Sequence, residues 1–175
     1  LLAGALVLAL AATVNAHGDH DHGSEKQDSP GAHAHGVASL ELAADGADVE
    51  LVFTIAGVDA VGFEHGPGNA AEREAVASEA SYLRSNALIE PIGGECSLQD
   101  SHVDSDLMEG GQDSGHAEFE VIQRLHCNPA LSNGEIRVTA LERYNGLERL
   151  RLIWVLDGTQ GATELTPGRR RVRLR

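Results

Sequence analysis

Histidine and aspartate alternate in a short stretch behind an apolar run: His17-Gly-Asp19-His20-Asp21-His22. A second group, His33-Ala-His35-Gly36, follows, so residues 17–35 hold five of the chain's nine histidines. Neutral imidazole is the commonest protein ligand for zinc, copper and nickel, and dense clusters of it in a polar tract read as metal binding. Asp19 and Asp21 offer oxygen ligands or acceptors that orient the rings. In an extended segment His33 and His35 point to the same side and can share one ion. A flexible tail loses chain entropy when it wraps a metal, which predicts modest affinity and several exchanging ions. Such binding releases protons and weakens as pH drops through ~6.5, the ordinary histidine value. The plain alternative is a solvated tail with incidental metal affinity.

Farther along, Glu64 and His65 are consecutive in a glycine-bounded loop, and His116 opens a strand-like segment. If these loops meet, Glu64, His65 and His116 bring one carboxylate and two imidazoles together. Water or a tail histidine would complete the four ligands that zinc prefers. The alternative is architectural: Glu64 and His65 make loop hydrogen bonds that fix a hairpin to a helix. His126 reads as an ordinary strand residue and His102 as an exposed one. Cys96 and Cys127 are the two cysteines. In an exported protein an even count suggests a disulfide, which would stabilise the fold by roughly 3–4 kcal/mol. A zinc-thiolate pair assisted by His126 is the competing reading.

Export itself is read from residues 1–16, which are apolar and uncharged and end in Val14-Asn15-Ala16. That reads as the core and small-x-small cleavage site of a signal peptide lacking its Met and basic start, with a short membrane anchor as the alternative. The run is shorter than the ~20 residues of a spanning helix, so the cleaved protein is not expected to be membrane-embedded. The formal charge is −14, although five arginines (Arg169, Arg170, Arg171, Arg173, Arg175) crowd the last seven residues. Such a field disfavours nucleic acid and anionic membrane and attracts cations, though solubility alone would also account for it. The arginines could pair with the acidic body, the favoured reading, or touch a membrane surface.

These donors must be positioned by a fold. Residues 17–36 lack core-forming side chains and read as a disordered His/Asp-rich tail. Residues 37–175 read as one α+β domain, mainly antiparallel β-sheet with one packed helix. Residues 37–42 and 49–55 alternate apolar and polar, with Asp45-Gly46 as the turn between them. Asn69 is a helix N-cap with Glu72 as its capping partner, and Ala75, Val76, Ala80, Tyr82 and Leu83 share a face of a helix to about residue 86. Strands follow over 96–103, 117–127, 135–141 and 147–156, with a polar loop at 104–115 and a short strand at 172–174. Asn145-Gly146 is expected to join the 135–141 and 147–156 strands. A β-sandwich with a helical insert is the rival architecture.

At this point the chain resembles a family. Gly62-Phe63-Glu64-His65-Gly66-Pro67 looks like the GFEHxP signature of the ZrgA-like periplasmic zinc-binding proteins of proteobacteria. Other landmarks agree in order: His33-Ala-His35-Gly36, His116-Ala-Glu-Phe119, Cys127-Asn-Pro129, Leu141-Glu-Arg-Tyr144-Asn-Gly-Leu147, Gln160 and Leu165-Thr-Pro167. The resemblance covers residues 33–175 and implies a soluble periplasmic protein that binds zinc beside an uptake transporter of the inner membrane. It also favours zinc over copper or nickel. Family members often carry a histidine-rich insert just before the position of His116; here residues 104–115 are short, acidic and free of histidine. Bulk zinc capture would then rest on the N-terminal clusters.

The expectation is a zinc buffer or chaperone and not an enzyme. Cleavage after Ala16 would leave the amine and imidazole of His17 to chelate copper, as in histidine-brace oxidases. Six aromatic residues provide no aromatic-rich binding face for that alternative. A structural envelope protein with incidental metal affinity is the third reading. No P-loop or dinucleotide-binding glycine pattern is present.

Overall fold

The computed structural model describes residues 34–109, 117–131 and 134–175. His17, His20, His22, His33 and His116, and the leader and most of the tail, lie outside the described residues. Strands β1 (Val37–Asp45) and β2 (Asp48–Ala56) form the expected hairpin, registered from Ala38↔Ile55 to Asp45↔Asp48. Gly46 takes φ +59° at the turn, where glycine adopts a positive φ without a Cβ penalty. Leu40, Leu42, Leu51, Phe53 and Ile55 point inward and are buried, as the alternation requires.

A short helix α1 (Gly57–Val61) leaves β2, and helix α2 (Ala70–Ser85) follows after a loop. Asn69 caps α2 by accepting from the Glu72 amide (3.0 Å). The Glu72 carboxylate accepts from the Gly68 amide (2.7 Å), one residue before the position a capping box would use. Val76, Ala80 and Leu83 turn into the core, while Ala75 and Tyr82 are half-buried. After β3 (Ile89–Pro91), β4 (Glu95–Asp104) pairs with β5 (Glu118–Asn128). The fully buried Gln123 of β5 joins sheet to helix. Its amide donates to the carbonyls of Leu83 and Asn86 (both 2.8 Å) and accepts from the Leu88 amide (3.1 Å). It thereby satisfies carbonyls that the helix terminus leaves open.

The remaining elements are α3 (Asp106–Glu109), β6 (Glu135–Val138), α4 (Ala140–Arg143), β7 (Arg149–Leu156), β8 (Thr159–Leu165) and β9 (Arg171–Arg173). One sheet runs β4-β5-β2-β1-β7-β8; the other runs β3-β6-β9. Pairing is antiparallel except for β1 with β7, which is parallel. Mostly antiparallel sheet with a packed helix agrees with the expected α+β class.

Three expectations need correction. The strand foreseen over 135–141 ends at Val138, and residues 140–143 are helical. Thr139 stops it: its amide and hydroxyl bond the carbonyls of Leu88 and Ala87, and the helical turn then buries both Leu141 and Tyr144. Asn145-Gly146 therefore connects two different sheets and does not close a hairpin. In the loop foreseen over 104–115, Asp104 still ends β4 and residues 106–109 form the helical turn α3, which buries Leu107. Strand β8 was not anticipated at all. The arginine-rich end does pair with the acidic body, through Arg170–Glu142 (3.4 Å) and Arg173–Glu135 (3.7 Å).

Candidate metal site

The site is built where the start of β1 meets the end of β2. Gly57 opens α1 in a position with no room for a side chain. A Cβ there would lie 2.8 Å from both the Ala117 and Phe63 carbonyl oxygens, and the Gly57 amide bonds Ala117 (2.6 Å). One glycine thus gathers the loop carrying Glu64 and His65 and the residue that follows His116. Gly62 ends α1 at φ +91°, its amide bonding the carbonyls of Gly57 and Val58. The chain then turns through Phe63, Glu64 and His65.

His35 arrives from the other direction. The Gly36 carbonyl accepts from the amides of Glu148 (2.8 Å) and Arg149 (3.0 Å), extending the parallel β1–β7 pairing. The Gly36 amide donates to Asp59 Oδ2 of α1 (2.8 Å). With its backbone so held, His35 places Nε2 3.2 Å from Glu64 Oε1. Both side chains reach solvent, the imidazole 62% and the carboxylate 38% exposed, so an ion can approach without opening the core.

His65 follows Glu64 with its ring held by two local contacts. Its Nδ1 lies 3.1 Å from the Gly66 carbonyl, which can only accept, so Nδ1 is the donor of this contact. Its ring stacks on Phe63, with centroids 5.1 Å apart and planes 24° from parallel. These contacts restrain the ring as outer-shell partners restrain metal-bound histidines.

The structure thus brings together His35 and Glu64, two of the eight candidate ligands, and sets His65 next in the loop. Among the described residues no three His, Cys, Asp or Glu side chains already form a metal-holding group. His35 and Glu64 nevertheless suit zinc. With metal–donor bonds of about 2.0–2.2 Å, two donors of one tetrahedron stand about 3.3 Å apart. The observed separation of 3.2 Å spans such an edge.

Cys96 and Cys127 form a disulfide between directly opposed positions of β4 and β5. The competing zinc-thiolate pair is thereby excluded in this oxidised form, since both sulfurs are committed. His126 pairs across strands with Asp48 (Nδ1–Oδ1 2.9 Å), and His102 is exposed on β4.

Behind the site, Glu79 of α2 is buried and accepts from Arg143 and from the Tyr144 hydroxyl (2.5 Å). Arg143 also lies over the Tyr82 ring, 3.5 Å from its centroid. Burial, reinforced by the Glu79 bond, pushes the Tyr144 hydroxyl far above its ordinary value. The Glu79 hydrogen bond raises Arg143 against the opposing effect of its partial burial. Glu79 and Asp59 were not singled out from the sequence. Glu79 falls on the apolar face of α2 (Val76, Ala80, Leu83), and a carboxylate there signals a buried partner. Asp59 carries no comparable local signal.

Residues 32–174 match the model of the ZrgA family, described as a zinc uptake protein. The chain belongs to this family. The signature residues Glu64 and His65, together with His35, all lie inside the matched region. No curated protein matches the chain. Membership ties the protein to zinc uptake. Zinc uptake and the disulfide together indicate an extracytoplasmic protein. No helix among the described residues is long and apolar enough to cross a membrane.

Proposed function

We propose that this ZrgA-family protein is a periplasmic zinc buffer or chaperone that supplies an inner-membrane uptake transporter, and that it is not an enzyme. Zinc is its cargo. His35 and Glu64 take two positions of a tetrahedral site, and His65 or His116 supplies a third. His17, His20, His22 and His33 collect further, faster-exchanging ions. The observation that carries this reading is the 3.2 Å approach of His35 Nε2 to Glu64 Oε1, an edge of the right length between donors of the right kind. An exposed site with few preset ligands suits a carrier, which must release its ion. The disulfide fits an oxidising compartment.

Calorimetric zinc titration of the full chain tests the reading. Glu64→Gln and His35→Ala are each expected to weaken the tightest site at least tenfold, leaving weaker binding by the tail in place. Unchanged tight binding in the double variant would sink the proposal.

A further inference from the structure

We infer that Asp59 is the positioning residue of this zinc site, the group that holds His35 against Glu64. The inference rests on the proposed zinc role of those two residues and adds the device that makes them a pair.

His35 stands two residues before β1; β7 amides hold the Gly36 carbonyl and the Ala34 carbonyl holds the Val37 amide, which leaves the Gly36 amide to be anchored outside the ladder. Asp59 Oδ2 supplies the anchor by accepting the Gly36 amide at 2.8 Å, in a half-buried setting that water disturbs less than an open surface. Asp59 belongs to α1, and the end of α1 launches Phe63, Glu64 and His65. A single carboxylate thus links the segment bearing the imidazole to the helix that delivers the carboxylate.

Local packing leaves this link little freedom. Gly36 sits at φ +76°, and a Cβ there would lie 3.3 Å from Glu148 Cγ and 3.4 Å from the Gly146 carbonyl oxygen. A Cβ on Gly146 would in turn lie 3.4 Å from Asp59 Oδ1. Asp59 is therefore enclosed between the Gly36 amide and the 145–146 connection. Arg143, the cation lining the same cleft, is engaged by Glu79. Groups bonded directly to metal ligands typically change metal affinity by about 10–100-fold when removed; Asp59 bonds the neighbouring backbone, so its expected effect lies at the low end of that range.

The test is a set of zinc titrations on the full chain. Asp59→Ala is expected to weaken the tight site about tenfold. Asp59→Asn keeps an oxygen acceptor for Gly36 and is expected to stay within about threefold of the unaltered protein. In a His35→Ala background, Asp59→Ala is expected to cost nothing further, because the two act as one unit. In the unaltered protein the Gly36 amide should exchange slowly with solvent deuterium, and more slowly still with zinc bound. This last measurement needs no variant, so it stands even if Asp59→Ala fails to fold.

Several results would overturn the inference. Unchanged affinity in Asp59→Ala while His35→Ala weakens binding would remove Asp59 and spare the zinc site. Equal losses in Asp59→Asn and Asp59→Ala would make Asp59 a ligand or a required charge. Additive losses with His35→Ala would place its effect elsewhere, and rapid Gly36 exchange would show that the link is absent. Unchanged affinity in His35→Ala would overturn the zinc role of His35 itself, and this inference with it.

Discussion

Tyr144 shows how one side chain can serve packing and charge together. Its ring stacks on Phe53, centroids 6.0 Å apart, while its hydroxyl donates to the buried Glu79. Burial and that bond hold the phenol protonated well above its ordinary pKa of about 10. A pKa raised on folding adds stability that is fully present below the unfolded value and lost as pH rises through the folded one. The domain is therefore expected to be insensitive to this group at neutral pH and to weaken progressively above about pH 10. Tyr144→Phe keeps the ring and removes the hydroxyl. It is expected to cost about 2 kcal/mol at pH 7, as for a hydrogen bond to a charged group, and to flatten the alkaline decline. Urea titrations followed through Trp154, the only tryptophan, would measure both. An equally steep decline in the variant would show that other groups govern it.

At the scale of elements, α2 is held by more than its apolar stripe. Val76, Ala80 and Leu83 enter the core, but the carbonyls at its C-terminal end are fastened by Gln123 from the sheet beneath. Gln123→Leu would fit the apolar surroundings yet strip the Asn86 carbonyl and the Leu88 amide of their side-chain partner, while the Leu83 carbonyl keeps the Ser101 hydroxyl. The expected loss is about 2–4 kcal/mol, read as a lower urea midpoint, since buried groups left unpaired each cost about 1–3 kcal/mol. A change below about 0.5 kcal/mol would mean that water replaces the glutamine. The first hairpin and α2 were legible in the sequence because their signals are local: strict alternation around Asp45-Gly46, and Asn69 ahead of a 3.6-residue stripe. Strand β8 was missed although Asp157-Gly158 marks its turn, both residues having positive φ. As an edge strand it buries only Leu165 fully, so it lacks the apolar alternation that identifies a strand. Gly161 within it makes room for the Trp154 ring, which a Cβ would enter at 2.2 Å.

Across the whole molecule, the disulfide and the His35–Glu64 corner occupy opposite ends of the large sheet. Cys127 lies late in β5 beside the β1–β2 turn, its amide bonding Ala47, whereas the start of β5 adjoins α1. Reduction is therefore expected to lower stability by roughly 3–4 kcal/mol while leaving the proposed zinc site intact in the folded protein. Urea titration with and without reductant would give the first value, and zinc titration of the reduced, still folded protein the second. Loss of the tight site on reduction alone would show that the sheet transmits strain from one end to the other.

The sequence by itself determined which chemistry was on offer: imidazole and carboxylate donors, a cysteine pair, a hairpin, a capped helix and the motifs of a zinc uptake family. These are read from residue type and near-neighbour spacing, which local physics governs. Tertiary structure alone decided which donors meet. From the loop sequences Glu64 was expected beside His65 and His116, of which His116 lies outside the described residues; in the fold the Glu64 carboxylate also faces His35. That partner follows from the parallel β1–β7 pairing and the Gly36–Asp59 bond, contacts between segments far apart in the chain. No local periodicity encodes such contacts, because they form only when the whole core has closed around them.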